Sequence, residues 1–158
     1  MTPKKQNLEL PPEFSGPAQL ILYTRYGDPR IPGWDNKWLT TWQVRERFPW
    51  FPKKEMIVHK HFWPMLENAF KDLTIFDLYK EIKTFDGAFK LRNIKGSKSV
   101  MSLHAWGAAI DMNADDNPHG ASGNWSNDFI QVMVNNGIFC GQNWIGRKDP
   151  MHFAMVNG

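Results

Sequence analysis

The stretch Ser102-Leu103-His104-Ala105-Trp106-Gly107-Ala108-Ala109-Ile110-Asp111 decides how this chain folds around its chemistry. His104 and Asp111 stand seven residues apart. On one straight strand an odd spacing puts two side chains on opposite faces. On a straight helix seven residues return to the same face, but about 10.5 Å along the axis. A bend is needed if both are to reach one point, and Gly107 supplies the backbone freedom for it. The reading places His104 before the bend and Asp111 after it, on a short buried strand from Ala108 to Met112.

Near the other end stands Asp149-Pro150-Met151-His152. His104, Asp111 and His152 together make a three-ligand set, with His152 expected from an adjacent strand. Two imidazoles and a carboxylate suit Zn²⁺ at about 2.0–2.2 Å, and three protein ligands leave one position open, as in catalytic sites. Asp149 is a fourth polar group, three residues before the last ligand and placed like a general base. The pattern implies a metal-dependent hydrolase.

Outward from this segment the chain reads as α+β. Phe62, Met65, Leu66, Ala69, Phe70 and Leu73 share one face of a helix spanning His61 to Leu73. Thr74 is expected to cap a second short helix, with Ile75, Leu78, Tyr79 and Ile82 buried. Lys83 to Arg92 reads as strand-like around Asp86-Gly87. Gly96 to Ser99 and Asp115 to Gly123 read as loops. Ser126 is an N-cap for a third helix, Asn127 to Asn136, ended by Gly137. Phe139-Cys140 and Met151 to Met155 read as strands. About three helices packed on a small sheet follow from this pattern.

The 158 residues read as one catalytic domain, 1–158, with an extended Pro-rich arm over about residues 1–19. Trp34 to Pro52 reads as aromatic and irregular. Eight tryptophans serve either a core or a sugar-binding face. Cys140 is the only cysteine, which excludes an internal disulfide and a Cys-based zinc site. Met1 to Phe14 carries charge but no apolar h-region, so synthesis without a signal peptide is expected. No stretch approaches transmembrane length, and stable membrane association is not expected.

The net charge of +3 is uneven. Residues 1–100 carry 17 Lys/Arg against 11 Asp/Glu, and residues 101–158 carry 2 against 5. The acidic end holds the proposed metal set. The basic part suits an anionic partner such as a cell wall, but it has no dense Lys/Arg block and no nucleic-acid-binding motif. His59-Lys60-His61 looks like a metal clip, yet it lacks a nearby carboxylate pattern and is expected to stay off the metal. Asp115 and Asp116, with Asn113 and Asn117, offer oxygen ligands for a second ion such as Ca²⁺, although such turns also arise for local reasons.

Ser-x-His-x-x-Gly-x-Ala-x-Asp followed by Asp-x-x-His resembles the signature of the VanX/VanY-type D-alanyl-D-alanine metallopeptidases. The phage endolysins that act as L-alanyl-D-glutamate peptidases share it. The residues here are Ser102, His104, Gly107, Ala109, Asp111, Asp149 and His152, with the likeness extending upstream to Phe85-Asp86-Gly87-Ala88-Phe89 and Arg92. The resemblance implies an antiparallel sheet carrying one zinc held by His104, Asp111 and His152. It implies Asp149 as catalytic base, Arg92 facing the scissile carbonyl, and Ser102 contacting substrate or the ligand shell. Cys140-Gly141-Gln142-Asn143-Trp144 departs from the Trp-Gly-Gly-x-Trp of many phage relatives, on the substrate-side wall.

The setting expected from this resemblance is lysis. Peptidoglycan is the partner, and the enzyme, a monomer, is made in a host cytoplasm and acts on the wall after holin-type release. A D-alanyl-D-alanine carboxypeptidase, a virion-associated murein hydrolase and a murein-binding protein with a relict metal site are the alternatives.

Overall fold

A computed structural model describes residues 10–158. The first nine residues of the expected N-terminal arm lie outside the described residues. The remainder of that arm is not extended: Pro12–Phe14 forms a 3₁₀ turn, and helix α1 runs over Pro17–Tyr26. Pro17 sits in the first turn, where its missing N–H costs nothing. Phe14, Ala18 and Leu22 are buried, whereas Leu20 and Ile21 are exposed.

The region from Trp34 to Pro52 is more regular than its composition suggests. It contains a short helix α2 (Trp34–Trp38) and strand β1 (Leu39–Trp42). Strand β2 (Met56–His59) pairs antiparallel with β1, Leu39 opposite His59, as a two-stranded sheet. Helix α3 (Trp63–Ile75) follows, and buries Leu66, Ala69, Phe70 and Leu73, the face read from the 3.6-residue period.

The second short helix expected at Thr74 is absent. Thr74 remains in α3, its hydroxyl donating to the Phe70 carbonyl, and Ile75 is 67% exposed. Asp77 at φ +58° breaks the chain there, and only a 3₁₀ turn, Tyr79–Glu81, leads on to buried Ile82. The strand expected over Lys83 to Arg92 shrinks to β3 (Phe85–Gly87). Beyond it the backbone turns to other partners: the Phe89 amide donates to the Ile57 carbonyl and the Lys90 amide to that of His104.

Strand β4 (Ala109–Met112) lies centrally in a four-stranded antiparallel sheet. Helix α4 (Asn127–Asn135) starts where the Ser126 hydroxyl accepts the Phe129 amide, and ends as the Ile138 amide bonds back to the Met133 carbonyl. Strands β5 (Phe139–Gly141) and β6 (Asp149–Ala154) complete the sheet in the order β3-β4-β6-β5. The fold is thus α+β, with two small antiparallel sheets and four α-helices among the described residues.

One apolar cluster joins the helices to both sheets through Phe62, Phe70, Trp106, Ile110, Phe129 and Phe153. Most tryptophans serve this core. Trp34, Trp42, Trp106 and Trp125 are buried, and Trp38 and Trp50 pack against them. Among the described residues no helix is long and apolar enough to cross a membrane.

Candidate metal centre

The bend inferred from the sequence is a capped 3₁₀ turn over Leu103–Trp106. The Ser102 hydroxyl accepts the His104 amide at 3.2 Å and fixes the start of the turn. Trp106 anchors its end, its indole N–H donating to the Gly27 carbonyl at 2.9 Å. Gly107 then reverses the chain at φ +64°, with a Cβ there only 2.7 Å from the His59 amide nitrogen. Any other residue at 107 would strain both the backbone and its contact with β2. The chain enters β4, and β6 lies beside it in a register that sets Asp111 directly opposite His152.

These elements bring His104, Asp111 and His152 together. One possible ligand atom from each lies within 4.8 Å of the others. His104 Nε2 is 3.2 Å from Asp111 Oδ2, and His152 Nδ1 is 3.8 Å from Asp111 Oδ1. The far nitrogen of each ring faces a backbone oxygen: His104 Nδ1 lies 2.7 Å from the Ala88 carbonyl, and His152 Nε2 lies 2.9 Å from that of Gly158. A carbonyl only accepts, so each far nitrogen carries a proton. Such bonds fix the tautomer and turn the other nitrogen toward the cluster, as around metal-bound histidines.

The donor set fits a cation. Burial, reinforced by the charge of His104, pushes His152 down to about 4 despite the opposing pull of Asp111. With its Nε2 turned to Gly158, the ring leaves Nδ1 to face the Asp111 carboxylate. Asp111 Oδ1 is itself buried without a hydrogen-bond partner. Burial would raise the Asp111 carboxyl, but the His104 hydrogen bond and the charges of His104, His152 and Arg92 hold it below its ordinary value. Two buried acceptors aimed at one space are costly unless a proton or an ion joins them.

A cavity of about 350 Å³ opens onto this cluster. Asp149, Arg92, Ser102, His119 and Trp144 line it beside the three candidate ligands. Asp149 begins β6, and its Oδ1 is buried without a partner. Burial, then the charge of Asp111, raises its carboxyl above the usual range, against the opposing charges of His119, His104 and Arg92. Arg92 donates from Nη1 to the Asn93 carbonyl. For Ser102, the contact present is its hold on His104.

His119 and Gln19 were not singled out by the sequence. His119 stands in the Asp115–Gly123 loop just after β4, which is the only signal that could have found it. Gln19 comes from α1, and its Nε2 donates to the Met101 carbonyl next to the ligand turn.

The other candidate ions fare differently. His59 is fully buried between Tyr26 and Trp38, and its Nδ1 accepts the His61 amide. His61 Nδ1 pairs with the Tyr26 hydroxyl instead. In the loop, Asn113 Oδ1 accepts the amides of Lys83 and Thr84, Asn117 Oδ1 accepts that of Asn124, and Asp116 pairs with Lys83. The carboxamide oxygens offered for Ca²⁺ are thus already engaged in holding the loop.

A family model described as D-alanyl-D-alanine carboxypeptidase matches residues 95–155, the segment that contains His104, Asp111, Asp149 and His152. The match supports a metal-dependent peptidase acting on peptidoglycan. No curated protein and no solved structure is a significant match to the chain.

Proposed function

We propose that this protein is a zinc-dependent murein peptidase, an L-alanyl-D-glutamate endopeptidase of the phage endolysin kind, with His104, Asp111 and His152 as ligands. The observation that carries it is the convergence of His104, Asp111 and His152, with ligand atoms within 4.8 Å of one another, in a cavity that also holds Asp149 and Arg92. Zinc bound there would act as a Lewis acid and bring the pKa of a water to about 7.

The chain's own residues supply the rest. Asp149, in the same cavity, takes the proton of the attacking water and returns it to the departing amine. Arg92 places its guanidinium in the same cavity, where it opposes the negative charge that develops on the carbonyl oxygen. The carbonyls of Ala88 and Gly158 keep both imidazoles in the ligating tautomer. Ser102 holds the turn that presents His104, and a substrate contact is proposed for it as well.

Two considerations favour cleavage between alanine and glutamate. An aspartate at position 149 resembles the endolysin branch, where the VanX branch has glutamate. Cutting this bond also detaches the stem peptide from its glycan strand, whereas trimming a terminal alanine leaves the mesh intact. The description of the matched family favours a second reading, a D-alanyl-D-alanine carboxypeptidase. Digestion of defined muropeptides separates the two. The endopeptidase exposes a new N-terminal glutamate, or its amidated form, without free alanine. Release of free D-alanine without new glutamate amines would establish the carboxypeptidase and remove the lysis role.

A further inference from the structure

The cavity over the metal cluster has a neighbour beyond His119. A second space of about 330 Å³ is lined by Lys95, Gly96, Pro118, His119 and Arg147. Lys95, Pro118 and His119 line both spaces, so the two adjoin. The annex presents an ammonium, a guanidinium and an imidazole, and no Asp or Glu lines it. Lys95 and Arg147 form no ion pair among the described residues, whereas Arg30, Arg47, Lys80 and Lys83 each have a carboxylate partner.

The loop that carries Arg147 is built to hold it there. Lys148 turns inward, its Nζ donating to the Gln142 carbonyl at 2.9 Å and the Trp144 carbonyl at 3.0 Å. The Lys148 carbonyl accepts the Gly120 amide at 2.7 Å, which ties the Arg147 loop to the His119 turn. Gly120 has φ +90°, and a Cβ there would stand 3.4 Å from Arg147 Nε. The positive φ is what calls for glycine, and the Arg147 guanidinium packs at ordinary contact distance over this turn. Trp144 also lines a further cavity of about 480 Å³ with no charged side chain in its lining. The cavity over the His104–Asp111–His152 cluster thus has one cationic neighbour and one neighbour without charged side chains.

We infer that the Lys95–His119–Arg147 annex is a carboxylate subsite of the substrate groove, selecting stem peptides with a free carboxylate near the scissile bond over their amidated forms. This rests on the peptidase reading above. A guanidinium matches a carboxylate in a planar, two-pronged contact, and an adjoining ammonium adds point charge. A pocket lined by one sign of charge concentrates the opposite ion. An amide in the same place accepts hydrogen bonds but brings no charge. A stem peptide offers such a carboxylate at its glutamate and another at its C-terminus.

The test compares kcat/KM of the zinc-loaded protein on three matched stem peptides: one with both carboxylates free, one amidated at glutamate, and one amidated at the C-terminus. One amidation is expected to lower kcat/KM about tenfold, mainly through KM, and which one it is identifies the carboxylate bound. The preference should shrink as salt is added. Lys95 and Arg147 are both exposed, so Lys95→Ala and Arg147→Ala should fold normally, which a thermal melt checks. Each should bring the free peptide toward the rate of the amide, with Arg147→Lys partly restoring the preference. Equal kcat/KM for all three peptides, or a preference that survives in the double variant, overturns the subsite and leaves the peptidase reading intact. Failure to cut any stem peptide or whole murein overturns the peptidase reading, and the subsite with it.

Discussion

Two pairs of histidines lie in this molecule, and only one is arranged for a metal. His59 ends β2 and His61 follows two residues later, while His104 and His152 are far apart in sequence and meet at Asp111, one from the turn before β4 and the other from β6. His59 and His152 are both buried, and burial depresses both rings, His59 to about 3 and His152 to about 4. Burial therefore does not distinguish them; the partners do. His59 is enclosed by the rings of Tyr26 and Trp38 with no carboxylate, and its Nδ1 lone pair is spent on the His61 amide. His104 and His152 give their far nitrogens to backbone oxygens and turn the near ones on Asp111. A metal site is made by lone pairs that converge, and closeness in sequence supplies no convergence.

The sharpest way to break this contrast is to remove the group beside the cluster that is not a ligand. Asp149→Ala should retain zinc and lose activity by about a thousandfold or more, because no other carboxylate in the cavity is placed to take the water proton. Loss of zinc in this variant would place Asp149 among the ligands. Arg92→Ala should also retain zinc, with kcat lowered about a hundredfold. An unchanged kcat would reduce Arg92 to its bond with the Asn93 carbonyl.

The aromatic histidine gives a signature of a different kind. The His59 ring is held below its ordinary value by burial, then by the charges of His61 and Lys60. Below pH 6.5 the unfolded chain takes up a proton that the folded site refuses, so stability is full above 6.5 and is lost as pH falls toward about 3. Denaturation of His59→Phe across this range should show a flatter acid limb than the native chain. Identical pH profiles would mean that His59 is more open to solvent than its packing indicates. The smallest effect is expected for Ser102→Ala. Removing the cap of the ligand turn should cost about 1 kcal/mol, or roughly 3 °C in Tm. A much larger fall in activity than in stability would add a substrate contact to its role.

The legible part of the chain was the part with a period or a strict local requirement. The α3 face, the Ser126 cap and the Gly107 bend each follow from residues that admit few alternatives. The cluster was readable because the seven-residue spacing of His104 and Asp111 forces a turn, and β6 then sets His152 opposite Asp111. Helix α1 was not readable, since Leu20 and Ile21 are apolar yet exposed and blur the helical stripe. Strands β1 and β2 are four residues each, and Leu39-Thr40-Thr41-Trp42 shows no alternation strong enough to separate it from its aromatic surroundings. The strand expected through Arg92 was cut short by long-range bonds to Ile57 and His104, which no local pattern encodes. His119 and Gln19 reach the cavity only through tertiary folding.

The most direct test of the account is the metal content of the purified protein, measured by elemental analysis on the native chain, His152→Ala and His59→Phe side by side. The account predicts about one zinc per chain in the native protein, little in His152→Ala, and the native amount in His59→Phe. A native protein that carries no zinc and gains no activity when zinc is added, or a His152→Ala variant that keeps its full complement, would contradict it.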